Sequence, residues 1–168
     1  MSDLTYQQKF VIERLAAGNE KVLAMNDAIR GRANFVTGAS TAIVGLITAA
    51  KFLPANNDSS GVEFIFLAIV CLCSVAIYWL AALVWKGGKM TVPGGTNIDA
   101  LYDSYISKEP DVAYGNFLSD LSKSMEENVR ENALQAARLD RMIIAFISQL
   151  FFLALSIAWA SVAVLIYT

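Results

Sequence analysis

One amide side chain stands deep within the last apolar stretch of this sequence. Gln149 lies about two helical turns beyond Arg141, on the same helical face as Ser156. An unpartnered amide is costly in hydrocarbon, so Gln149 needs a hydrogen bond or contact with water. The position therefore predicts either an interhelical hydrogen bond or, together with Ser156, a polar ring in an oligomeric pore.

A second pattern is a face of small residues in the first apolar stretch. Gly38, Ala42, Gly45 and Ala49 recur at helical spacing and are bordered by threonines. In lipid, close backbone approach and hydroxyl hydrogen bonds drive helices together. This face predicts packing within one chain, contact between copies of the chain, or a pore wall lined by small side chains and hydroxyl groups.

Three amides lie on one side of a polar helix that precedes the last apolar stretch. Asn128, Asn132 and Gln135 are about one turn apart, and charged residues lie nearby. Such amides either face solvent or, when buried between helices, fix the register of the pair. We include them as candidate register residues of a helical stalk.

The residue types argue against catalysis and cofactor binding. The chain has no histidine, no carboxylate pair inside an apolar stretch, and no nucleophile at a useful spacing from a base. Cys71 and Cys73 are two positions apart and so point to different faces of a helix, where neither a disulfide nor a metal site is geometrically natural, and we interpret them as packing residues. We expect no enzyme activity, metal or cofactor, and the net charge of −2 argues against nucleic acid as a partner.

Three stretches without any charged residue dominate the chain: Ala33–Ala50, Phe64–Trp85 and Met142–Thr168. Each is long enough to cross the hydrocarbon core of a bilayer, which is about 30 Å thick. The composition agrees, with 56% hydrophobic residues and a mean hydropathy of +0.49. A soluble protein of 168 residues could not bury so much continuous apolar surface. The sequence therefore predicts an integral membrane protein.

The cations predict its orientation. All but one of the 13 Lys and Arg residues lie before the first stretch or between the second and third, and loops rich in these residues stay in the cytoplasm. The exception, Lys51, stands at the far end of the first stretch. We expect a cytoplasmic N-terminus, a short outer loop, a cytoplasmic middle segment and an external C-terminus.

The predicted architecture is all-α, with two long cytoplasmic helical extensions that continue into the first and third spans and pack as an antiparallel stalk. The polar parts lack the apolar content of an independent domain, so neighbouring chains are expected to supply partners. The predicted segments are a cytoplasmic amphipathic helix 1–34, transmembrane helix 35–53, outer loop 54–62, transmembrane helix 63–85, cytoplasmic loop with a short and a long helix 86–141, and transmembrane helix 142–167.

Two segments that precede spans carry a resemblance to a group of known proteins. They are residues 26–34, Asn-Asp-Ala-Ile-Arg-Gly-Arg-Ala-Asn, and residues 127–139, which begin Glu-Asn-Val-Arg-Glu-Asn. In layout the chain resembles the small multi-span membrane effectors of bacterial anti-phage defence, such as SLATT proteins and the transmembrane effectors of cyclic-nucleotide signalling systems. The resemblance implies location in a bacterial inner membrane, self-assembly, and permeabilisation of that membrane after a cytoplasmic trigger. It implies no site residues, and the third predicted span and the lack of a sensor domain depart from those families.

Two functions follow from these expectations. The first is a non-enzymatic homo-oligomer that forms a pore in the bilayer or perturbs it, gated through its cytoplasmic helices. The second is a structural accessory subunit or scaffold of a larger membrane complex. The expected partners are the lipid bilayer, other copies of the chain and a cytoplasmic protein.

Overall fold

The computed structural model describes residues 6–52, 61–87, 90–91, 99 and 102–167, and these residues are almost entirely helical. Three long helices are α1 (Tyr6–Phe52), α2 (Gly61–Lys86) and α3 (Pro110–Tyr167), and a short π-helical segment spans Tyr102–Ile106. The all-helical class expected from the sequence is confirmed. Of the predicted outer loop 54–62, residues 54–60 lie outside the described residues, and 61–62 belong to α2.

The helix ends follow from local chemistry. α1 ends at Phe52, two positions before Pro54 in the sequence. α2 ends at Lys86, whose charge favours a helix C-terminus, and glycine follows it. α3 begins with Pro110, which is tolerated at a first helical position, and the Ala113 amide donates to the Glu109 carbonyl at 2.9 Å.

The chain divides into two compact units. Unit 1 comprises residues 1–28 and 87–135, and unit 2 comprises residues 29–86 and 136–168. Helices α1 and α3 each contribute residues to both units, whereas α2 belongs to unit 2.

Unit 2 has an aliphatic core, to which all three helices contribute. The branched or long side chains of this core surround Ala33, which is fully buried. The buried members are Ile29, Ala33, Val36, Ile77, Ala81, Val84, Leu139 and Met142. They recur every three or four residues on each helix, which is the spacing of one helical face.

Two helices are long and apolar enough to cross a membrane among the described residues. They are Phe64–Lys86 in α2 and Pro110–Val162 in α3, and only 22% and 17% of their most apolar windows are buried within the chain. A helix from the core of a soluble protein would be mostly buried instead. The first predicted span, 35–53, is not among the helices that are long and apolar enough to cross a membrane within the described residues.

The predicted antiparallel stalk is wrong, because α1 and α3 run in the same direction. In unit 1, Asn19 contacts Asn128 and, further along both helices, Val22 contacts Asn132. Residue numbers therefore increase together on the two helices, which is a parallel arrangement. Within unit 2, α2 runs opposite to both helices. Asn34 and Ser40 of α1 contact Trp85 and Ser74 of α2, and Arg138 and Gln149 of α3 contact Leu83 and Ser74.

Candidate functional site

A buried polar cluster joins the three helices of unit 2. It consists of Ser40 from α1, Ser74 from α2 and Gln149 from α3, and we call it the serine–glutamine cluster. Ser40 and Gln149 are 0% exposed and Ser74 is 5% exposed. Each lies on the face that carries the aliphatic core, so the fold of unit 2 brings them together.

The hydroxyl of Ser74 is the centre of this cluster. Its Oγ accepts a hydrogen bond from Gln149 Nε2 at 2.8 Å and one from Ser40 Oγ at 3.5 Å. The same hydroxyl donates to the Val70 carbonyl of its own helix at 3.0 Å. The other end of the amide, Gln149 Oε1, has no hydrogen-bond partner among the described residues. The cluster therefore retains one buried acceptor that a water molecule or another donor can satisfy.

The cluster lies within the most apolar part of unit 2. Ser74 is near the midpoint of the apolar segment Phe64–Lys86. Ser156, the second polar residue expected near Gln149, is also buried, about two turns further along α3. Four polar side chains thus occupy the interior of a unit whose outer surface carries exposed residues such as Phe64 and Leu72.

Sequence reasoning singled out Gln149 and Ser156 but missed Ser40 and Ser74. A signal was present, because Ser40 continues the three-and-four spacing of Ile29, Ala33 and Val36. A serine at the inner position of an apolar helix is a sign of an interhelical hydrogen bond. It was overlooked because serine is common in apolar helices, where its hydroxyl usually bonds to its own backbone.

The predicted face of small residues is exposed. Gly38, Ala42, Gly45 and Ala49 all lie on the surface of the chain. A Cβ atom added to Gly38 or Gly45 would meet nothing within 4 Å. Packing within one chain is therefore not the use of this face in the described structure, and contact between copies or a pore wall stays a prediction.

The three predicted register residues are buried in unit 1. Asn132 and Gln135 are 0% exposed and Asn128 is 1% exposed. Asn128 pairs with the backbone of Thr91: its Oδ1 accepts from the Thr91 amide at 2.8 Å and its Nδ2 donates to the Thr91 carbonyl at 3.1 Å. This pair of bonds holds the segment that follows α2 against α3.

The other two amides also donate to backbone carbonyls. Asn132 Nδ2 donates to the Val22 carbonyl of α1 at 2.7 Å. Gln135 Nε2 donates to the Gly87 carbonyl at 3.1 Å, just beyond the last turn of α2, where carbonyls lack helical partners. These contacts attach α1 and Gly87, the residue that follows α2, to one face of α3 within unit 1.

Unit 1 contains buried amide oxygens that the described residues leave unsatisfied. They are Asn132 Oδ1, Gln135 Oε1 and Asn26 Oδ1, the last from α1. Asn26 was not identified from the sequence, although it lies one turn beyond Val22 on the inner face of α1. Burial of the amides between helices is the arrangement in which such residues can fix a register, and that role stays a prediction.

We expect Asn128→Ala to destabilise unit 1 by about 1–3 kcal/mol, because it removes the paired hydrogen bonds to Thr91. Hydrogen exchange of the Thr91 amide should become faster in this variant. Glu127→Ala is the matched control, since it removes only an exposed bond from the Thr91 hydroxyl to Glu127. Unchanged exchange at Thr91 in Asn128→Ala would contradict the assignment.

A second polar contact in unit 2 lies at the end of α2. Trp85 Nε1 donates to Asn34 Oδ1 at 3.1 Å, and the Arg30 guanidinium lies 5.4 Å from the centre of the Trp85 ring. On α3, Arg138 Nη1 donates to the Leu83 carbonyl at 3.0 Å. Tryptophan and arginine are typical of the boundary between a bilayer and water, and here they fix the last turn of α2 against α1 and α3.

Tyr105 of the π-helical segment is tied to α3 within unit 1. Its hydroxyl donates to Asp120 Oδ2, and its ring packs edge-on against Phe117 with ring centres 6.1 Å apart. Burial, followed by the hydrogen bond and the negative charge of Asp120, raises the pKa of Tyr105 to about 12. Asn116 adds a hydrogen bond to the Ser104 carbonyl.

The raised pKa of Tyr105 predicts a loss of stability at high pH. The folded chain holds the phenol proton more tightly than the unfolded chain, whose pKa is near 10, so this stabilisation is complete below pH 10. It is lost as the pH rises from about 10 to about 12. Ultraviolet titration of tyrosinate should show a component near pH 12 that disappears in Tyr105→Phe. A difference titration without that component would contradict the Tyr105–Asp120 contact.

The described residues offer no group of three or more His, Cys, Asp or Glu side chains that could hold a metal ion. The described residues contain two buried polar networks. One is the serine–glutamine cluster of unit 2, and the other is the set of buried amide side chains of unit 1. Searches of this chain against protein-family models, curated proteins and solved structures each return no match.

Proposed function

We propose that this chain is a non-enzymatic protein of a bacterial inner membrane that assembles with copies of itself and permeabilises the bilayer when its cytoplasmic helices receive a signal. In this proposal the chain crosses the membrane three times, with its N-terminus in the cytoplasm and its C-terminus outside. The observation that carries the proposal is the serine–glutamine cluster, which places a fully buried amide in the middle of apolar helices.

The surface of unit 2 supports a location in lipid. The windows of α2 and α3 are long enough to cross a bilayer and are largely unburied. Large apolar side chains stand out from them, among them Phe64 at 72% and Leu72 at 68% exposure. A water-soluble protein rarely leaves a continuous apolar surface of this extent uncovered, because of its cost in water.

Hydrogen bonds within α1 support a third span. In its C-terminal half, the hydroxyls of Thr37, Thr41 and Thr48 each donate to the carbonyl one turn earlier, at 2.8 Å. These bonds allow exposed threonines to enter hydrocarbon without an unsatisfied donor. Because no charged residue lies between Arg32 and Lys51, this part of α1 has the composition of a span.

The cluster supports a conducting role because it is polar, buried and incompletely satisfied. Gln149 Oε1 lacks a partner among the described residues, so hydration of the cluster would restore a hydrogen bond that the dry state lacks. We propose that a signal changes the packing of α1 and α3, both of which have residues in each unit, and that the change exposes Gln149 to water. The resemblance of segments 26–34 and 127–139 to membrane effectors of anti-phage defence supports the same role.

A second candidate function is a structural subunit of a larger membrane complex. The observation that favours it is the set of apolar side chains exposed on unit 1, such as Phe10 at 58% and Ile106 at 70%. In the cytoplasm such side chains are typical of a surface that binds a protein. In this case the serine–glutamine cluster only holds the helices together.

Release of a trapped dye from liposomes distinguishes the two functions. The permeabilising function predicts that dye release depends on the protein-to-lipid ratio with an order greater than one, because several copies must assemble. Release at the level of empty liposomes, with and without a cytoplasmic extract added as a source of the trigger, would contradict it. Purification from the native membrane as a fixed complex with other proteins would favour the structural function.

A further inference from the structure

The outer face of α1, opposite the face that packs in the chain, has a seven-residue repeat. It carries Phe10, Ala17, Ala24, Gly31, Gly38 and Gly45, all of them exposed. This spacing is that of a helix packed lengthwise against another helix. The small-residue face in the first predicted span is the last part of this longer face, which starts well before the span.

α3 carries a matching outer face. Glu126, Ala133, Asp140, Ile147 and Ala154 follow one another at the same seven-residue interval, and all are exposed. On α3 this face carries two acidic residues, Glu126 and Asp140, whereas the members of the α1 face are all apolar or small. Each chain therefore presents two exposed helical faces of different chemistry.

The contacts inside the chain show which residues of the two helices lie at the same height. In unit 1, Asn19 contacts Asn128 and Val22 contacts Asn132, at separations of 109 and 110 residues. In unit 2, Ser40 and Gln149 both bond to Ser74. A residue of α1 is thus level with the residue of α3 about 110 positions later. In copies that share one orientation in a membrane, the same levels apply between neighbours.

Exposed residues of opposite charge lie at similar levels on α1 and α3. In unit 1, Arg14 and Glu126 differ in level by about 3 Å along the helix axis. Glu20 lies at the same level as Arg130. All four of these side chains are exposed and lie on or beside the outer faces. The pairing therefore needs no change in the fold of the chain.

The same match continues on unit 2. Arg32 of α1, about 100° around the helix from Gly31, is level with a point about 3 Å from Asp140 of α3 along the helix axis, and both are exposed. Above this pair, the glycines of α1 are level with the apolar part of the α3 face around Ile147. A smooth glycine surface admits large side chains of a neighbouring helix at close range.

Charge also excludes contact between two identical faces. If α1 packed against α1 of another copy at the same height, Arg14 of one copy would lie near Arg14 of the other. If α3 packed against α3, Glu126 and Asp140 would each face their own equivalents. Like charges at close range are destabilising, whereas the contact of α1 with α3 pairs opposite charges.

We propose that the partner of the outer face of α1 is the outer face of α3 on a second copy of this chain, which produces a head-to-tail assembly about an axis along the membrane normal. This inference rests on the common membrane orientation in the proposed function. Because the two contacting faces differ, each added copy leaves one face of each kind open, and a closed ring satisfies them all. The contact specifies one register of α1 against α3 of the second copy, since a shift of seven residues would separate the charged pairs.

Disulfide cross-linking between differently tagged chains tests the contact in membranes that contain the full chain. Cys71 and Cys73 are first replaced by alanine. One chain then carries Gly38→Cys and the other Ile147→Cys, two positions at the same level. Oxidation should give a cross-linked product that contains both tags. Gly38→Cys paired with Val75→Cys, on the exposed surface of α2, is the control that reports random collision.

Charge reversal provides a second measurement that does not depend on the cysteines. Glu126→Arg should reduce assembly of the tagged chains by about fivefold, and Arg14→Glu in the same chain should restore it. Helical circular dichroism of each variant checks that the chain folds. Cross-linking of Gly38→Cys with itself, a yield no higher than in the Val75→Cys control, or charge reversals without effect would each overturn the proposal. A cross-linked assembly that releases no dye would retain this interface and refute permeabilisation instead.

Discussion

Gln149→Leu is expected to reduce dye release by at least about tenfold while changing the free energy of unfolding by less than about 1 kcal/mol. The substitution removes the amide that bonds to Ser74 at 2.8 Å, and with it the unsatisfied Oε1. Ser74 keeps its bond to the Val70 carbonyl, so no donor becomes orphaned. Leucine is apolar and is readily buried among apolar helices, so the helices stay packed. The interior then lacks the amide that would bind water. Release is measured on liposomes with equal amounts of reconstituted protein.

Ser148→Ala is the control for this prediction. It also removes a polar group from α3, at the neighbouring position, but the Ser148 hydroxyl bonds only to the Ile144 carbonyl one turn earlier. We expect wild-type release from this variant. If Gln149→Leu liposomes release dye as fast as wild type, the serine–glutamine cluster holds helices together and takes no part in permeation.

Met142→Ala is expected to cost about 2–5 kcal/mol of stability, the largest effect of any prediction here. Met142 is fully buried among Ile29, Ala33, Val84 and Leu139 in the core of unit 2. Truncation leaves a cavity at a place where three helices meet, and close-packed helices fill such a cavity poorly. Thermal unfolding in detergent, followed by tryptophan fluorescence, measures the change.

Met25→Ala makes the same chemical change at a site that is 47% exposed. Its cost should stay below about 1 kcal/mol, because little contact is lost. A Met142→Ala variant as stable as Met25→Ala would mean that the core of unit 2 is not packed as described.

The helical class was predictable because long runs without proline and a three-and-four spacing of apolar residues admit one kind of secondary structure. The direction of the stalk was also predictable, and the antiparallel expectation was wrong. A third long helix that reverses the direction of the second runs parallel to the first, and the contacts of Asn19 with Asn128 and of Val22 with Asn132 agree. The short helix expected within segment 86–141 is described only at residue 99 and at residues 102–106, where it is π-helical.

The candidate site was predictable only in part. Gln149 is visible in a sequence because a lone amide in an apolar run is rare, whereas Ser74 looks like any small residue until the helices are placed together. The burial of Asn128, Asn132 and Gln135 likewise depends on backbone carbonyls of α1 and of the segment after α2. Spacing on one helix shows which residues share a face, but the groups that satisfy them lie on other parts of the chain.

Labelling of single cysteines in intact and opened cells tests the three-span topology most directly. In a background without Cys71 and Cys73, Glu20→Cys and Glu126→Cys should react with an impermeant reagent only after the cells are opened. Asn57→Cys, in the segment between the first two predicted spans, should react in intact cells. Labelling of Glu126→Cys from outside, with Glu20→Cys protected, would contradict the account.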